Sequence, residues 1–104
     1  MLHAPSLMRY EVVNALYQIQ KAGLLSREDV TLALEDALSR PIVLHEDEKL
    51  HKRALELAAM HKLPATYDAH YLALAEDLGV ELWTTDAKLA RAVEDRLAWV
   101  RLVS

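Results

Sequence analysis

ATYDAHYLALAEDLGVELWTTD, residues 65–86, is the stretch whose reading decides the fold. Its first half carries Tyr71, Leu72 and Ala75 at helical spacing, which predicts a helix from about Thr66 to Leu78 with one apolar side. Gly79 supplies the stop, because a helix end often needs a residue that tolerates positive φ. The next six residues, VELWTT, are short, apolar and aromatic, and read as a strand. Asp86 then falls just past the carboxyl end of that strand, where open α/β sheets gather their ligands.

The same alternation extends in both directions. The closing AWVRLV, 98–103, reads as a last strand, with a short helix expected over 86–94. Upstream, PIVLH, 41–45, is β-branched and opens on Pro, again a strand. Glu46 and Asp47 place negative charge at the start of a helix over about 47–62, with Leu50, Ala54, Leu57 and Ala58 as its apolar stripe. SRED, 26–29, resembles a capping box and opens a helix through about Leu38, with Leu32, Leu34 and Leu38 on its apolar side. Before it, Ser6 is placed to cap a helix from about Leu7 to Ala22, stopped by Gly23, while LHAP, 2–5, reads as the end of an extended segment. Helices alternating with short strands imply a parallel sheet with helical crossovers. With no repeat, linker or low-complexity segment, the 104 residues are expected to form a single domain, 1–104.

Composition narrows the chemistry. Zero Cys removes disulfides, thiolate metal sites and a cysteine nucleophile together, so any catalysis must use oxygen or imidazole groups. A net charge of −4 argues against nucleic-acid binding through a broad basic surface. It leaves open an acidic pocket whose metal ions bridge to phosphate. No apolar run approaches the roughly 18 residues of a membrane span, and no signal-like start is present, so a soluble, cytoplasmic protein with no membrane partner is expected.

Three acids stand out against their surroundings. Of the 13 residues Leu7 to Ile19, nine are apolar, so this helix is expected to be largely buried, with Glu11 and Asn14 one turn apart in the same patch. A buried carboxylate needs a cation or several donors. Asp68 is in line with the apolar stripe of its own helix and is expected to face inward. With Asp86 these acids could converge as oxygen ligands for a hard divalent cation. Each also has a plainer reading: an Arg or Lys partner for Glu11, a helix-end charge for Asp68, an N-cap for Asp86. Asn14 suits a hydrogen-bonding role beside either.

The remaining motifs are quieter. No His-Glu-x-x-His pattern occurs, and His45, His51 and His61 are spread along a charged helix and its approach, which predicts solvated side chains. His70 is expected to reach solvent. Two isolated glycines cannot build a phosphate loop, and no Ser lies in a nucleophile-elbow context. Trp83, Trp99 and the four Tyr suit a core or interface better than a base-stacking platform.

Taken in order, APSLMRYEVVNAL, ATYDAHYLALAEDLGVELWTTDAKLARA and WVRLV resemble the PIN domain family, in particular the VapC-type toxins of toxin-antitoxin pairs. The resemblance runs through essentially the whole chain. It implies an α/β fold with a PIN-like parallel sheet flanked by helices, and a Mg²⁺- or Mn²⁺-dependent endoribonuclease. Such proteins act on RNA, are held by an antitoxin and form homodimers. By position, Glu11, Asp68 and Asp86 would be the catalytic, metal-binding acids, and Thr84 and Asn14 the supporting residues.

One departure accompanies the likeness. Family members open with a central strand bearing a further Asp, whereas here only the end of a strand precedes the first helix. The expectation is therefore an N-terminally truncated PIN fold whose strands form two halves with unpaired edges, favouring homodimers or higher oligomers. Two readings compete with the nuclease: an inactive module that dimerises or binds an antitoxin, and a structural domain whose acids pair with Arg9, Arg53 or Arg91.

Overall fold

The computed structural model describes residues 2–84, 89, 91, 93, 97 and 100–102. Two compact units divide the chain, Met1–His45 and Glu46–Ser104.

In the first unit, strand β1 (Leu2–Pro5) leads into helix α1 (Leu7–Lys21), then α2 (Arg27–Ser39) and strand β2 (Ile42–His45). The strands are parallel, with Leu2 opposite Ile42 and Pro5 opposite His45. A parallel pair needs a crossover, and the α1–α2 hairpin provides it. Its helix ends follow local chemistry. Ser26 Oγ accepts from the Asp29 N–H at 3.1 Å, as the capping pattern predicted. Gly23 at φ +76 closes α1, its N–H donating to Gln20 O while the Leu24 N–H reaches Ile19 O.

Ser6 departs from its expected role. It is already in right-handed helical conformation, and its side chain makes no cap hydrogen bond. An N-cap hydroxyl reaches the first-turn amides from an extended backbone, which Ser6 does not have. Its own N–H donates to His45 O at 2.9 Å, tying the start of α1 to β2.

The larger correction concerns α1, which was expected to be buried: none of its residues is. Tyr10 is 78% and Tyr17 53% exposed. On α2, Val30 is buried, but Leu32 and Leu38, expected on the apolar side, are exposed. Two strands of four residues offer too little sheet to cover two helices, so burial in this unit reduces to Ala4, Pro5 and Val30 among the described residues.

The second unit holds α3 (Glu48–Met60), α4 (Tyr67–Leu78), β3 (Leu82–Thr84) and β4 (Val100–Leu102). β3 and β4 are parallel, Leu82 opposite Val100 and Thr84 opposite Leu102. Each pair of strands thus forms its own two-stranded sheet, matching the expected division into two halves. Asp47 caps α3, its Oδ1 accepting the Leu50 N–H at 2.7 Å, and Gly79 ends α4 at φ +67. The far end of α3 makes a similar turn without glycine: Lys62 takes φ +52, and the Leu63 N–H donates back to Ala58 O.

The predicted α3 stripe, Leu50, Ala54, Leu57 and Ala58, is the buried face. It packs on Ala69, Leu72, Ala73 and Leu74 of α4 and on Leu89, Val93 and Leu97. Alanines on both helices let their axes approach closely, while Leu57 and Leu72 are fully enclosed. Each such leucine contributes about 1.5–3 kcal/mol of hydrophobic stabilisation. Across the rim, Arg53 Nε donates to both carboxylate oxygens of Glu76 at 3.1 and 3.2 Å, and Nη1 to Glu56 at 3.0 Å. The Glu76 hydrogen bond raises the Arg53 pKa above its ordinary value, so the guanidinium stays charged throughout the working pH range. Of the helix expected over 86–94, Leu89, Arg91 and Val93 are described and helical, and Trp99 lies outside the described residues. Among the described residues, no helix is long and apolar enough to cross a membrane.

Candidate active site

Glu11 and Asn14 lie one turn apart on α1, as their spacing requires, but both are exposed. Asn14 Oδ1 accepts from Gln18 Nε2 at 3.5 Å. The expectation of a buried polar patch fails with the burial of the helix itself, because no residue of α1 is buried.

Asp68 occupies the first turn of α4 and is also exposed, not inward-facing. The enclosed run of α4 begins one residue later, at Ala69, so Asp68 stands ahead of the packed section. A carboxylate there is favoured by the positive end of the helix dipole. Thr84 is the last residue of β3, and Asp86, two positions on, lies outside the described residues.

Glu11 belongs to the first unit, and Asp68 and Thr84 to the second. Among the described residues, no group of three or more His, Asp or Glu is gathered as a metal cluster. The donor chemistry of Glu11 and Asp68 nevertheless suits a hard cation, since both are carboxylates. Arg53, one of the cations considered as a partner for these acids, is engaged by Glu76 and Glu56.

Histidine is where sequence reasoning missed most. His61, expected in solvent, is 5% exposed. His51 and His70 are not solvated singly but meet, His51 Nδ1 lying 2.9 Å from His70 Nε2. His3 and His45 approach likewise across the β1–β2 sheet, at 2.9 Å. Partners 19 and 42 residues apart on different elements leave no periodic signal, so only the packing of those elements reveals them. A hollow of about 810 Å³ also opens on the second unit, lined by charged residues including Lys49, Lys52, Arg53, Glu56, Glu76 and Asp77. Neither Glu11 nor Asp68 lines it.

Parallel strand pairs joined by helices, with acids on the first helix, at the start of α4 and beyond β3, define an α/β domain of the PIN class. The sequence matches the PIN domain over residues 1–95, and the chain belongs to that family. It is 36% identical over 91 residues to Ribonuclease VapC3 of Pyrobaculum aerophilum, covering 86% of this chain and 69% of that protein. It is 38% identical over 91 residues to Ribonuclease VapC3 of Mycobacterium tuberculosis, covering 88% of this chain and 64% of the relative. Ribonuclease VapC12 of the same organism is 33% identical over 91 residues, covering 88% of this chain and 68% of the relative. The chain therefore spans about two thirds of the length of these relatives.

Proposed function

We propose that this chain is a PIN-type, metal-dependent endoribonuclease, the toxin of a toxin-antitoxin pair, acting in the cytoplasm. The observation that carries the proposal is the similarity to three proteins named ribonucleases, maintained over 91 residues. In this reading Glu11, Asp68 and Asp86 hold Mg²⁺ or Mn²⁺ through their carboxylates. A bound ion of this kind lowers the pKa of a water and neutralises charge on the phosphodiester. Asn14 and Thr84 orient the acids by hydrogen bonding. The partners proposed are RNA, an antitoxin protein and a second copy of the chain, all within the single PIN domain.

A second reading rests on the exposed apolar side chains of α1 and α2, among them Tyr10, Val13, Tyr17 and Leu32. A PIN module presenting such a surface could serve partner binding without cutting RNA. The test is cleavage of a fluorescent single-stranded RNA with and without Mn²⁺. The nuclease reading expects Mn²⁺-dependent cleavage lowered at least about 100-fold by Glu11→Gln or Asp68→Asn, an effect of about 2.7 kcal/mol on the barrier. Cleavage unchanged in those variants would remove the acids from the mechanism. No cleavage by the parent chain, with a stable dimer or partner complex, would favour the binding module.

A further inference from the structure

We propose that His51 and His70 form a transition-metal site bridging α3 and α4, separate in chemistry from the carboxylate site. The argument begins with the protons. His70 Nδ1 is 2.7 Å from the Thr66 carbonyl oxygen, which can only accept. Nδ1 therefore carries the hydrogen, and in the neutral ring Nε2 is left with its lone pair. That lone pair is directed at His51 Nδ1, 2.9 Å away. On the far side of the His51 ring, Nε2 faces Glu46 Oε2 at 3.9 Å.

This is the supporting arrangement of metal-binding imidazoles. The Nδ1 of His70 is turned toward a backbone carbonyl, which fixes its tautomer and frees Nε2 for the ion, while His51 Nε2 stands 3.9 Å from Glu46, beyond hydrogen-bond distance. The separation also suits two ligands of one ion. Two imidazole nitrogens about 2.0–2.1 Å from one metal lie about 2.9 Å apart when they subtend a right angle, and about 3.3 Å apart in a tetrahedron. The observed 2.9 Å, set by a hydrogen bond in the metal-free protein, is short enough for both nitrogens to bind one ion, and imidazole suits Ni²⁺, Cu²⁺ and Zn²⁺ alike. Both rings reach the surface, leaving room for water in the other positions. In the metal-free protein a hydrogen bond from His51 Nδ1–H to His70 Nε2 holds the same contact.

Such a site differs in kind from the proposed Mg²⁺ or Mn²⁺ site, because imidazole suits late transition metals and carboxylate suits hard ions. Its consequence is mechanical: an ion held by both rings pins α3 to the first turns of α4, two residues from Asp68.

The probe is Ni²⁺ alone, titrated into the full chain in non-coordinating buffer and followed by calorimetry and by the melting temperature. Binding near one ion per chain with a raised melting temperature is expected. His51→Ala and His70→Ala should each weaken it at least as much as the about 10- to 100-fold typical of losing a supporting partner. Glu11→Gln, Asp68→Asn and the double variant His3→Ala/His45→Ala should each retain it. Absence of binding, binding that survives loss of both His51 and His70, or binding lost with the acids or with His3 and His45 would overturn the proposal. Each of those results leaves the ribonuclease reading intact, since that reading is judged by Mn²⁺-dependent cleavage.

Discussion

Among the described residues, each unit of this chain holds two helices and two short parallel strands, with further helical residues after β3 in the second, and the units bury different amounts of themselves. Residues 46–104 enclose a cluster running from Leu50 to Leu97, with Leu57 and Leu72 fully covered. Residues 2–45 bury little beyond Ala4, Pro5 and Val30, although α1 is just as rich in apolar side chains. Periodicity tells a helix which side to offer; it does not supply the surface that takes it. In the second unit α3 and α4 supply that surface to each other through facing alanines and leucines, joined by Leu89, Val93 and Leu97. In the first, the small β1–β2 sheet leaves most of the apolar surface outside.

The sharpest way to break this comparison is to cut the core. Leu57→Ala should destabilise by about 2–5 kcal/mol, because the cavity lies in the best-enclosed part of the fold. Urea unfolding at constant slope would check it, and a loss below about 1 kcal/mol would show that the α3–α4 contact is loose. Next in size is the cap of α3. Asp47→Ala should cost about 0.5–2 kcal/mol, since Asp47 receives the Leu50 N–H, whereas Ser6→Ala at α1 should fall within about 0.5 kcal/mol. Equal losses from the two substitutions would mean that Ser6 caps after all. The smallest effect belongs to the surface of α1: Tyr17→Ser should change stability by less than about 0.5 kcal/mol in dilute solution. A larger cost that grows with protein concentration would show that another copy covers this helix, and the contrast between the units would then belong to the lone chain only.

Much of this architecture is legible in the sequence where the determining chemistry is local. Ser26, Asp47 and Gly79 mark helix ends that the structure reproduces, and the stripe of α3 was readable because its four buried residues recur at helical spacing. The division into two strand pairs followed from the resemblance to PIN domains and the strand order. Where a partner element had to be known, reading failed. Glu11 and Asp68 were expected inside because their neighbours are apolar, but no residue of α1 is buried and Asp68 precedes the enclosed run of α4. His51 and His70 carry no sign of one another until α3 and α4 are packed. The candidate acids were legible as residue types in a given order.

The turn at Lys62 carries a last consequence. Gly23 and Gly79 adopt left-handed geometry with open space where a side chain would project, so their glycines answer a backbone demand alone. Lys62 meets a similar demand with a full side chain, at a conformational cost of about 1–2 kcal/mol. Lys62 follows the C-cap of α3, where a positive charge offsets part of that cost, about 0.3–1 kcal/mol, by complementing the helix dipole. The chain therefore holds an unused reserve of robustness at one position, with a residue that favours charge over ease of bending.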